Sequence, residues 1–382
     1  MNILFIGLPG VPFLGRACDP RLASIANILN ERMSVSILNR YSSLRQNKVS
    51  GISLSDGIIT REIIARKNTG VLWSKILYVF SVIKEPFVVL SINKKDKIDF
   101  IHLYSGHYLD FVVSHILGRL IGAKVVYEYV EYRSGKSQKG LYHKVNSFLC
   151  DKIGAKLWDI CIAISDYLIA SATRINPTLP IIKVTPICDY QLFETNRKNV
   201  DISREYIMFC GHAGYFDTVK LVIDSFFSST ICAERDLLLV LGGSDSQVER
   251  IKEYNKKCII KQRIPYELLV AYYKHAYALM IPIHDSQEDI ARFPNKICEY
   301  AAAHGLIVTT NYGEIKNYFK DGENAVIAGE CSVEAISSCL DKVNNGSYDV
   351  ERIKENCFKT GMKCFSIESY KEKLFGFLQT NK

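Results

Sequence analysis

The stretch richest in usable chemistry runs from Asp289 to Thr309 and brings Arg292, Asn295, Lys296 and Glu299 within eight residues. Pro294 suits the first turn of a helix and Gly305 its stop, so Lys296 and Glu299 fall three apart on one helical face. Alone, a Lys-x-x-Glu pair is an ordinary weak ion pair on a solvated surface. Residues of these types can accept hydrogen bonds through the carboxylate and donate them, with positive charge, through the guanidinium and the ammonium.

Two glycine-bearing segments could assist. Gly211, His212 and Gly214 follow the apolar run Tyr206 to Cys210, where glycines allow a phosphate close to the backbone; a plain loop is the competing reading. The segment Gly7 to Arg16, with Gly10 and Gly15, fits neither G-x-G-x-x-G nor a G-K-[ST] ending. As a dinucleotide or P-loop signal it fails, and a long turn explains it equally well.

The elements that must carry these residues alternate between apolar β-branched runs and helical patterns, which is βαβ spacing. One series includes Ile3 to Ile6, Val35 to Leu38, Phe100 to Tyr104, Lys124 to Tyr127 and Ile160 to Ile164. A second includes Tyr206 to Cys210, Leu237 to Leu241, Cys258 to Ile260, Ala278 to Ile281 and Leu306 to Thr309. The fold class expected is α/β, with two parallel-sheet domains. Residues 1–195 form the first and 204–365 the second. The polar stretch 196–203 links them, and a helix within 366–382 packs back on the first.

The chain has 382 residues, 48% hydrophobic and 23% charged, which excludes disordered, collagenous and coiled-coil proteins. Its twelve cysteines include no C-x-x-C pair, so neither a zinc cluster nor a disulfide framework is indicated. The net charge of +8 suits a nucleic acid, an anionic membrane or phosphorylated substrates without choosing among them. Dispersed basic residues and the lack of a reading motif argue against nucleic acid. Ile76 to Ile92 is rejected as a membrane span because Lys84, Glu85 and Pro86 interrupt it. The N-terminus has no basic n-region and reads as a strand, so a cytoplasmic location is expected.

In order and spacing, the chain resembles the GT-B nucleotide-sugar glycosyltransferases, especially the retaining family 4 (group 1). The likeness rests on Gly10 and Gly15, Asp159 to Ser165, Pro186 to Phe193, Phe209 to Gly211, Asp321 to Ala325, and Glu299 before Gly305. The resemblance implies two Rossmann-like domains facing a cleft, with the donor nucleotide on the second. It makes Glu299 the ribose-binding carboxylate, the second Glu of an E-x7-E motif whose first position is here Ala291. Glu288 and Asp289 are the nearby substitutes.

The family's phosphate-binding Arg and Lys fall near His212 and Asp217, so diphosphate binding passes here to Arg292, Lys296 and the amides of Gly211 to Gly214. Asn295 and the loop around Ile264, beside the base, complete the donor set. The family's acceptor-side His falls at Val130, leaving Glu131, His107 and Glu128 as catalytic candidates. No D-x-D triplet occurs, so no metal or other cofactor is expected.

The resemblance further implies transfer with retention to a glycan or lipid-linked acceptor in bacterial surface-polysaccharide synthesis. Basic and apolar residues mix over 45–84, and Arg133, Lys136, Lys139, His143 and Lys144 form a second basic cluster. These suit peripheral contact with an anionic inner membrane, or for the first a buried helix with solvated flanks. A non-catalytic sugar-nucleotide or glycan-binding protein on the same scaffold is the alternative, since the first Glu and the basic pair are lost.

Overall fold

Two parallel sheets gather the apolar runs, each in its own unit of the computed structural model, which describes residues 1–8, 11, 18–41, 52, 54–64, 71–134 and 140–382. The first unit comprises Met1–Thr185 and Tyr370–Lys382, the second Pro186–Ser369.

In the first unit the elements run β1 (Asn2–Ile6), α1 (Asp19–Asn30), β2 (Ser34–Tyr41), β3 (Ile59–Ile64), α2 (Val71–Lys95), β4 (Phe100–Leu103), α3 (Tyr108–Ile121), β5 (Lys124–Tyr129), α4 (Leu141–Lys152), β6 (Ile160–Ala163), α5 (Asp166–Ile175) and β7 (Ile181–Lys183). The strand order is β3-β2-β1-β4-β5-β6-β7. Every pairing is parallel. The order reverses between β1 and β4, where an open sheet leaves a crevice at the strands' carboxyl ends. Gly7 leaves β1 there at φ +73°, and a Cβ on it would lie 2.6 Å from the Tyr104 carbonyl oxygen. Only glycine lets the two backbones approach so closely.

The second unit runs α6 (Tyr190–Thr195), β8 (Tyr206–His212), α7 (Phe216–Phe227), β9 (Asp236–Gly242), α8 (Asp245–Tyr254), β10 (Ile259–Lys261), α9 (Tyr266–His275), β11 (Ala278–Ile281), α10 (Gln287–Ala291), α11 (Lys296–Ala302), β12 (Ile307–Thr310), α12 (Ile315–Tyr318), β13 (Val326–Ala328), α13 (Val333–Asn344) and α14 (Val350–Phe365). Its parallel order is β10-β9-β8-β11-β12-β13, reversing between β8 and β11. Ile207, Leu239 and Met280 of the sheet pack with Val222 and Phe226 of α7 and Leu340 of α13 in one buried cluster. The closing helix α15 (Lys371–Thr380) belongs to the first unit, where it pairs with the residues just after α1 through Arg32–Glu372 and through Lys371–Glu31 at 2.7 Å.

The units meet in sequence at Thr185 and Pro186, ten residues before the expected edge at 195, so 196–203 lie inside the second unit. Hydrogen bonds explain why that stretch shows no period. Lys274 of α9 donates to the carbonyls of Phe193 and Asn196 at 2.9 Å each, and the Asn196 side chain donates to the Glu267 carbonyl at 2.8 Å. Irregular backbone is held here by side chains instead of a ladder.

Ile76 to Ile92 lies within α2, and no helix among the described residues is long and apolar enough to cross a membrane. Glu85 of α2 is buried and takes two hydrogen bonds from Arg40, at 2.8 and 2.9 Å.

Candidate functional site

Loops at the carboxyl ends of β8, β10 and β11 and the head of α11 carry the candidate residues of the second unit. Pro294 and Asn295 open α11, and its seven residues, about two turns, present Lys296 and Glu299 on one side. Glu299 is 2% exposed. Its Oε1 accepts from the Tyr266 hydroxyl at 2.8 Å, and its Oε2 lies 3.5 Å from Lys296 Nζ. Burial and the adjacent carboxylate push the Tyr266 phenol well above its ordinary pKa, so it remains a donor. Burial lowers the Lys296 pKa, but the Cys210 sulfur and the Glu299 carboxylate outweigh it and hold the ammonium above its usual range.

Arg292, just after α10, lies beside this pair in sequence. Its guanidinium contacts Asp289, lies 3.7 Å from Glu288 Oε1, and sits 5.5 Å from the Tyr215 ring centre. Its Nε is buried without a hydrogen-bond partner. Asp289 also accepts the His284 amide at 3.0 Å. Glu288 and Asp289, the expected substitutes for the lost first Glu, are thus engaged with Arg292. Asn295 serves as the N-cap of α11, and its carbonyl accepts from Cys298 Sγ at 2.9 Å.

The Gly211 to Gly214 segment differs from a phosphate cradle. Gly211 and His212 extend β8 in register with Leu241 and Gly242. The Gly214 amide donates to His212 Nδ1 at 3.0 Å, the Ala213 amide to the Gly242 carbonyl at 2.8 Å, and the Tyr215 amide to the His212 carbonyl at 3.0 Å. The amides of Ala213, Gly214 and Tyr215 are thus spent within the protein. Ile264 is half-buried in the turn from β10 to α9, next to Arg263, which takes a positive φ of 51°. Gln262 in the same turn buries its Nε2 with no partner.

Sequence reasoning missed His284. Its Nε2 lies 2.9 Å from Thr218 Oγ1 at the head of α7, and its Nδ1 lies 3.5 Å from Cys331 Sγ. A His three residues past the apolar run of β11 is the signal that pointed to it.

In the first unit the three acid and base candidates separate. Glu128 on β5 is 1% exposed, with Arg21 Nε at 2.6 Å on one oxygen and His102 Nε2 at 3.2 Å on the other. Burial raises its pKa, but Arg21 and His102 outweigh that and hold it below the usual carboxylate range. Both of its oxygens are committed to a buried charge network, which leaves it no proton to trade with a substrate. His107 is exposed at the N-cap of α3. Glu131 is partly exposed, 3.8 Å from Arg133. The Arg133 guanidinium lies on Gly106, where an added Cβ would fall 2.5 Å from it. His107, Glu131 and Arg133 thus occupy the loops after β4 and β5. Gly10 and Gly15 lie outside the described residues.

Residues 193–360 match the family of glycosyl transferases group 1. The second unit is a group 1 glycosyl transferase domain. No curated protein matches the chain in sequence. Among solved structures it is similar to sucrose-phosphate synthase from Thermosynechococcus elongatus, at 13% identity and a TM-score of 0.81, covering 99% of this chain and 98% of that one. Anabaena HepE, solved in complex with UDP and glucose, gives 14% identity and a TM-score of 0.71 over all of both chains. WaaG, a glycosyltransferase involved in lipopolysaccharide biosynthesis, gives 13% and 0.64, covering 98% of this chain and all of that one. At such identities the likeness establishes the fold, GT-B, built from two Rossmann-like units.

Proposed function

We propose that this group 1 chain is a glycosyltransferase that moves a sugar from a nucleoside diphosphate, with UDP the first nucleotide to test, to a glycan or lipid-linked acceptor. The observation that carries the reading is the buried Glu299 carboxylate at the head of α11, backed by the Tyr266 phenol and covered by one partly exposed cation, Lys296. A ribose bearing two hydroxyls offers the donors that such a carboxylate accepts. Lys296 then turns from Glu299 toward the diphosphate, so one movement uncovers the carboxylate and delivers the charge. Arg292 supports the leaving phosphate, while Ile264 and Gln262 border the base.

The bond between the anomeric carbon and the phosphate oxygen breaks as the acceptor oxygen attacks the same face. The acceptor proton passes to the departing phosphate oxygen, and configuration is retained. Stabilisation of the developing diphosphate charge falls on preorganised cations and needs neither a metal nor a protein nucleophile. His107, Glu131 and Arg133 form the acceptor-side set. The UDP of HepE and the lipopolysaccharide role of WaaG favour a UDP-sugar donor and a surface-polysaccharide product.

The test is to incubate the chain with a panel of UDP-sugars and lipid-linked saccharides, following UDP release and the product's anomeric configuration by NMR. Acceptor-dependent release with the donor's configuration kept, unaffected by chelator, is expected. UDP binding without any release favours a non-catalytic sugar-nucleotide-binding protein instead.

A further inference from the structure

We infer that the outer face of α2, α3 and α4 is a docking surface for an anionic lipid bilayer. The inference does not depend on the donor site. Among the described residues, seventeen large apolar side chains are exposed; six are on α2, three on α3 and four on α4, so the exposure is local to one face. The three helices lie side by side, α2 against α3 and α3 against α4. On α2, Trp73, Ile76, Phe80, Ile83 and Phe87 recur at alternating steps of three and four, which aligns them in a single stripe pointing to water. Phe87 is 68% exposed, and Leu141 at the head of α4 is 78% exposed. Exposed apolar areas of this extent mark interaction sites.

Charge identifies the occupant. The three helices contain three carboxylates, Glu85, Asp110 and Asp151, and all are buried. Arg40 holds the first two, and the amides of Arg133 and Ser134 hold the third. The outward charges are then all cationic, among them Lys84, Lys94, Lys95, Lys144 and Lys152. An open cavity of about 390 Å³ between β3 and α2 adds Arg61, with Lys84, Lys95 and Phe87 around it and Glu62 the one acidic group on its wall. Apolar rings flanked by lysines fit the acyl boundary and anionic headgroups of a membrane, with the lysine stems lying along the apolar surface. A second copy is a poor occupant, because a two-fold contact would bring this cationic face against itself. The basic cluster foreseen near residue 140 contributes Lys144 to this face; Lys136 and Lys139 lie outside the described residues, as do Arg45, Lys48, Arg66 and Lys67.

The experiment is co-sedimentation of the full chain with vesicles of phosphatidylcholine alone or doped with phosphatidylglycerol, at low and high salt. Wild type should pellet with the doped vesicles and release as salt rises. Each cation removed should weaken binding about fivefold, the equivalent of ~1 kcal/mol. Lys84→Glu with Lys144→Glu, and separately Phe80→Ser with Phe87→Ser, should abolish pelleting while melting temperature and oligomeric state stay unchanged. Equal pelleting of these variants, no pelleting of wild type, or a dimer that the Phe variants dissociate would each overturn the proposal. Glu299→Gln should pellet like wild type, so loss of nucleotide binding and loss of membrane binding can be told apart.

Discussion

Glu128 of the first unit and Glu299 of the second are buried to the same degree, yet their surroundings differ in kind. Glu128 is clamped between Arg21 from α1 and His102 from β4, groups fixed by burial on separate elements. Glu299 meets a neutral phenol and a lysine one turn back on its own helix, at the edge of contact and 22% exposed. A buried carboxylate with two locked partners holds the fold together. One covered by a single, partly exposed lysine is the better placed of the two to meet a ligand.

The largest effect that separates the two is on stability. Glu128→Gln strips Arg21 of its charge partner in a dry interior and should cost about 3–5 kcal/mol in urea unfolding, with nucleotide affinity unchanged in the folded fraction. Because the folded Glu128 pKa lies below its unfolded value of about 4.3, its contribution is fully present above that pH. It is lost as pH falls through the folded pKa, and the variant's acid unfolding should be flatter below about pH 4.

Next in size, Lys296→Met should weaken UDP binding roughly tenfold to a hundredfold, the range for a hydrogen bond to a charged group, and leave uridine binding nearly unaltered. Equal losses for both ligands, measured by calorimetry, would take Lys296 off the diphosphate. The raised Lys296 pKa also means that its charge persists through neutral and mildly alkaline pH, so UDP affinity should be flat from about pH 7 to 9. The smallest change is Gly106→Ala. Its Cβ meets only the movable end of Arg133, so stability should shift by less than about 0.5 kcal/mol. Acceptor KM should rise severalfold while donor binding holds.

The sheet strands were legible because buried parallel strands read as unbroken apolar runs, and β11 falls at Ala278–Ile281 as expected. β3 was not. Its sequence Ile-Thr-Arg-Glu-Ile-Ile sits at a sheet edge, half exposed, and pairs only with β2. The Lys296 and Glu299 pair was legible because Pro294 and Gly305 bracket one short helix. The fate of Glu128 was not, since its partner Arg21 is 107 residues away and no local pattern announces such a contact. The Gly211 to Gly214 segment misled for a related reason. Glycines permit a phosphate cradle, but the Ala213 and Gly214 amides there are taken by Gly242 and His212, and hydrogen-bond partners are a property of the folded loop.

Glu299 as the nucleotide's carboxylate is tested most directly by calorimetric titration of UDP into wild type, Glu299→Gln and Glu128→Gln under one set of conditions. Wild type should bind, Glu299→Gln should lose about tenfold to a hundredfold in affinity, and whatever fraction of Glu128→Gln remains folded should bind like wild type. Wild-type affinity in Glu299→Gln would contradict that role, and the nucleotide would then have to be sought away from the head of α11.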